Sequence, residues 1–96
     1  MAMKVRFHLD PDGEPHIHSH GVSEEEVIEA MENRLEEFPG SKGSMVLIGR
    51  TRAGRVLRVI YAPSRDGDGI FVITAYDLPP KQYRALLHRL RRRHKR

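Results

Sequence analysis

The chain contains no cysteine, which excludes disulfide cross-links and thiolate chemistry and suits a reducing cytoplasm. No apolar run approaches the roughly 18 residues that a bilayer-spanning helix needs. No apolar core of a secretion signal follows Met1–Lys4. The expectation is a soluble, cytoplasmic protein with no membrane partner. Gly40-Ser41-Lys42-Gly43 lacks the Gly-x-x-x-x-Gly-Lys-Ser/Thr spacing of a phosphate-binding loop. His16, His18 and His20 alternate without a carboxylate or thiolate at an accepted ligand spacing, so no metal and no cofactor is expected. There is no internal repeat and no domain linker, and 96 residues with 39% hydrophobic content fit one domain with one modest core.

Charge is present in quantity and unevenly placed. Residues 1 to 40 hold 3 basic and 10 acidic side chains, and residues 41 to 96 hold 14 and 3, so halves of −7 and +11 make the net +4. A basic face suits a polyanion such as RNA or DNA, and an acidic partner protein equally well.

Lys4 to Leu9 alternates Val5, Phe7 and Leu9 with polar residues, the period-two pattern of a half-buried strand. Asp10-Pro11-Asp12-Gly13 supplies a turn. His16 to His20 reads as a short strand or a loop, and its imidazoles share a side only if it is extended. Ser23 and Glu26 form a capping box, and Val27, Ile28, Met31, Leu35 and Phe38 recur at helical spacing, giving a helix over 24 to 37 stopped by Pro39-Gly40. Met45–Ile48 and Val56–Tyr61 read as a hairpin around Ala53-Gly54. Ile70 to Tyr76, apolar on both faces apart from Thr74, reads as a strand inside the sheet. After Pro79-Pro80, the stripe Tyr83, Leu86, Leu87 and Leu90 predicts a helix over 80 to 93. The basic run 91 to 96 continues it when bound to an anion and frays when free.

Three segments in order, His20-Gly21-Val22-Ser23-Glu24-Glu25-Glu26-Val27, Gly49 to Tyr61 and Phe71 to Tyr76, resemble the small BrnT-like branch of the RelE-superfamily toxins over about residues 16 to 78. The resemblance implies an α+β, RelE-like domain with a mostly antiparallel four-stranded sheet. It also implies messenger RNA cleavage, with RNA, on or off the ribosome, as a partner, and neutralisation by an acidic antitoxin. Two departures stand out. Asp10 to Pro15 breaks the helix that precedes the His-Gly-Val-Ser motif in that family, and Ile73-Thr74-Ala75-Tyr76 lacks the family's arginine.

Metal-independent RNA cleavage needs a base for the 2′-hydroxyl proton, an acid for the leaving oxygen and cations around the phosphorane-like transition state. The candidate catalytic residues are His20 as acid or base, Arg50 as phosphate grip and Tyr76 as proton donor or base-stacking ring. Candidate RNA-binding residues are Arg52, Arg55, Arg58, Lys81, Arg91, Arg92 and Arg93. The hairpin guanidiniums are expected to converge on one anion-gripping concavity near His20. The same residues also fit a non-enzymatic module that holds nucleic acid or a partner protein.

Overall fold

A computed structural model describes residues 4 to 94. The order of elements is β1 (Lys4–Phe7), a 3-10 helix (His16–His20), α1 (Glu24–Glu32), β2 (Arg34–Pro39), β3 (Met45–Arg50), β4 (Val56–Pro63), β5 (Gly69–Asp77) and α2 (Pro80–His94). This is an α+β domain built on one mixed sheet of five strands in the order β1-β5-β4-β3-β2. It differs from the expected four-stranded sheet in its size and in its direction at one edge, since β1 runs parallel to β5. Among the described residues no helix is long and apolar enough to cross a membrane.

The capping box forms as the sequence dictates. The Ser23 side chain accepts from the Glu26 backbone N–H, and Glu26 accepts from the Ser23 N–H. The helix then stops well short of residue 37. Asn33 caps it by donating to the Glu29 carbonyl, and the chain turns into β2, which pairs with β3 from Arg34↔Gly49 to Pro39↔Met45. Tertiary partners override helical spacing here. The β3 ladder takes the backbone, Leu35 joins the α2 core, and Glu36 and Glu37 find partners on opposite faces. Phe38, expected on the buried stripe, is 39% exposed.

Strand one is also shorter than its pattern. Val5 and Phe7 pack against the core, but Leu9 is 54% exposed and only bridges to Pro15 across the 10–13 turn. His16 to His20 is neither strand nor loop: it coils as a 3-10 helix, ended by Gly21 at φ 68. The hairpin β3–β4, the interior position of β5 and helix α2 follow the sequence reading. The basic run 91 to 94 continues α2, and Lys95 and Arg96 lie outside the described residues.

Strand alternation makes two cores. On one face Ile17, Val22, Val27 and Ala30 cover Leu47, Leu57, Val59, Val72 and Ala75. On the other, Leu86 of α2, with Tyr83 and Leu90, sits on Ile48, Val56 and Leu35. Gly49 lets α1 approach, because a Cβ there would collide with the Ala30 carbonyl. Gly49→Ala should therefore cost about 3 kcal/mol through a clash with backbone. Gly54→Ala, at φ +92 with open space around it, should cost only about 1–2 kcal/mol from left-handed strain. Urea unfolding of both variants checks this, and equal losses would contradict the close approach.

Candidate nucleic-acid interface

Arg55, immediately before β4, is the most heavily bonded side chain near the hairpin. Its Nε and Nη2 donate to the two carboxylate oxygens of Asp77 at 2.6 and 3.1 Å. Its Nη1 donates to the Gly21 carbonyl at 2.8 Å and to Glu26 at 3.1 and 3.2 Å. The Asp77 hydrogen bond, then those from Glu26, hold the guanidinium more firmly charged than usual. Hydrogen bonding to Arg55 lowers the Asp77 carboxyl below its ordinary 3.8. The Ser23 backbone N–H, followed by Arg55, lowers Glu26 below 4.5.

The expected single concavity does not form, because the hairpin arginines divide between the faces of the sheet. Arg55 and Arg52 lie on the α1 side. Arg52 reaches Glu29 and Glu32 at 3.6 Å while remaining 79% exposed. Arg50 and Arg58 lie on the α2 side, where Arg50 is opposite Val56 and Arg58 opposite Ile48. That makes them diagonal neighbours on one face of the ladder, about 7–8 Å apart.

Arg58 faces Tyr76 directly across the β4–β5 ladder, donates from Nη1 to Gln82 at 2.7 Å, and keeps a buried Nε with no partner. The His20 ring meets Tyr76 edge-on at 5.7 Å. The three candidate catalytic residues thus fall along one run, His20 to Tyr76 to Arg58 to Arg50, with Arg58 as the link.

On α2, Lys81, Arg91 and Arg92 are exposed, and no carboxylate lies within ion-pair distance of any of them among the described residues. Arg93 differs. With Arg89 it binds Glu36, at 3.0 Å and 2.7 Å, and that carboxylate is only 7% exposed. Arg89 holds the Glu36 carboxyl below its ordinary range.

Residues that the sequence reading passed over complete the surface. Arg84 and His88 are exposed, and with Lys81 and Arg91 they recur at three and four residues, one face of a helix. That spacing is present in the sequence beside the apolar stripe Tyr83, Leu86, Leu87 and Leu90. His8, His16 and Phe71 extend the ring contacts from His20, which no local pattern foretells. No family model, curated protein or solved structure matches the chain.

Arg55→Ala should cost about 2 kcal/mol, between the values for exposed and fully buried ion pairs, since Arg55 is 27% exposed. Both lowered carboxyls are ionised in folded and unfolded chains at neutral pH, so their contribution is complete there. As pH falls below 4.5, the unfolded chain takes up protons first and that contribution is lost through the lowered folded values. Denaturant melts at neutral pH and at about pH 3.5 should show a smaller acid-side loss in Arg55→Ala than in the parent. An identical loss would remove Arg55 from this role.

Proposed function

We propose that the protein binds RNA through the outward side of α2 and the adjoining edge of the sheet. In this reading it is a RelE-like toxin domain that an acidic antitoxin covers. One observation carries it: Lys81, Arg84, Arg91 and Arg92 stand exposed on α2 without carboxylate partners among the described residues. Arg34, Arg55, Arg89 and Arg93 are engaged within the fold. Cations left over from folding are the ones that can release counterions from a phosphate backbone. An acidic antitoxin surface would compete for the same row, and that competition is a simple means of inhibition.

A second reading, metal-independent endoribonuclease activity, is favoured by the contact of His20 with Tyr76 opposite Arg58. In it His20 takes the 2′-hydroxyl proton and O2′ attacks phosphorus. The bond to the 5′ oxygen breaks and Tyr76 protonates that oxygen, leaving a 2′,3′-cyclic phosphate. Arg58 and Arg50 hold the non-bridging oxygens.

Binding of a labelled RNA strand, followed by anisotropy over a salt series, tests the first reading. The variant K81E/R84E/R91E should bind far more weakly and lose about 2 from the slope of log K against log salt, at ~0.7 per phosphate contact on a single strand. Salt-independent binding, unchanged in the triple variant, would sink it. For the second reading, His20→Ala and Tyr76→Phe should abolish cleavage of the strand while the salt slope of binding stays unchanged, since neither substitution removes a guanidinium or ammonium group. Persistent cleavage in both variants removes these residues from the chemistry.

A further inference from the structure

Helix α2 covers only part of its face of the sheet. At the β1–β5 end that face opens into a hollow of about 550 Å³. Phe71, Ile73 and Pro63 make an apolar lining, Arg6 and Arg65 stand at its border, and Ser64 forms part of the wall. Phe71 is half-buried, and Arg65 is exposed with no carboxylate in ion-pair range among the described residues. Arg6 pairs with Asp66 at 3.2 Å. The Ser64 hydroxyl is buried without a hydrogen-bond partner. An aromatic ring and guanidinium groups beside one apolar hollow match a flat heterocycle that carries a phosphate.

The hollow is also linked to His20 and Tyr76. From Phe71, ring contacts run to His8 at 6.2 Å, His16 at 5.8 Å, His20 at 5.2 Å and Tyr76 at 5.7 Å. Phe71 and Tyr76 both lie on the α2 side of β5, opposite Ala62 and Arg58. Four residues of strand lie between them, a span of about 15 Å. A duplex keeps its bases stacked and out of reach of such rings, whereas a single strand can splay them onto aromatic faces.

We propose that this hollow is a base-binding subsite for single-stranded RNA, with one base stacked on Phe71, its phosphate at Arg65 and the strand continuing along the histidine edge toward Tyr76. The proposal rests on the RNA-binding reading and adds a strand preference and a position to it. It differs from the α2 row, which attracts phosphates in any nucleic acid.

The test uses the full chain with a fluorescein-labelled oligouridylate, free and annealed to oligoadenylate. The protein should bind the single strand more tightly than the duplex. Phe71→Leu, which keeps an apolar side chain but removes the ring, should weaken single-strand binding about tenfold and leave duplex binding unchanged, as expected for one lost base–aromatic stack. Arg65→Ala, at an exposed loop position, should lower the salt slope by about 0.7 and remains informative if Phe71→Leu folds poorly.

Equal affinity for strand and duplex, or no effect of either substitution, overturns the subsite. In that event, loss of binding in K81E/R84E/R91E would leave the general RNA-binding reading standing. If the parent protein binds neither probe at low salt, both readings fall. Free 5′-AMP that displaces the labelled strand at equal nucleotide concentration would make the hollow a mononucleotide site and overturn the strand assignment.

Discussion

The fold depends on the Arg55 guanidinium binding three separate stretches of chain at once. Asp77 ends β5, Gly21 ends the 3-10 helix, and Glu26 closes the cap of α1. Only a planar fork with several fixed donors can bind one carboxylate bidentately while turning its remaining N–H groups to a carbonyl and a second carboxylate. A lysine ammonium offers a point charge in place of that geometry. Glu36 repeats the arrangement with the signs exchanged, one largely buried carboxylate receiving Arg89 and Arg93 from α2. One node fixes α1 to the hairpin and the other fixes α2 to β2.

These nodes alter the meaning of the charge asymmetry. By sequence the first 40 residues are strongly acidic and the rest strongly basic, which suggests a large basic face. In space the two halves largely answer one another: Glu26 with Arg55, Glu29 with Arg52, Glu36 with Arg89. The free positive surface is the remainder, and it lies mostly along α2. A run of like charge along a chain is therefore a poor map of surface potential until the pairings are known.

Local signals were legible and non-local ones were not. The capping box at Ser23 and Glu26, the β3–β4 hairpin, interior β5 and helix α2 each follow from periodicity and turn chemistry within a short window. Strand β2 was hidden because Val27, Met31 and Leu35 keep a four-residue spacing across Asn33, and only pairing with β3 shows that the helix has already ended. The parallel docking of β1, the split of the hairpin arginines and the ring contacts from Phe71 to Tyr76 arise from contacts between distant segments. Local signals describe a scaffold, whereas any chemistry would depend on neighbours in space such as His20 and Tyr76.

Helix α2 separates its duties around its circumference. Tyr83, Leu86 and Leu90 face the core, Arg89 and Arg93 reach down to Glu36, and Gln82 holds Arg58 near the helix start. What remains, Lys81, Arg84, His88, Arg91 and Arg92, is exposed, and the helix contains no acidic residue to offset it. Cations three and four positions apart repel one another modestly, and the negative C-terminal end of the helix dipole relieves only those in the last turn. The residual repulsion is what the proposed RNA would remove. A helix anchored by Glu36 and Arg58 presents that row already ordered, so the proposed binding would lose little to conformational entropy.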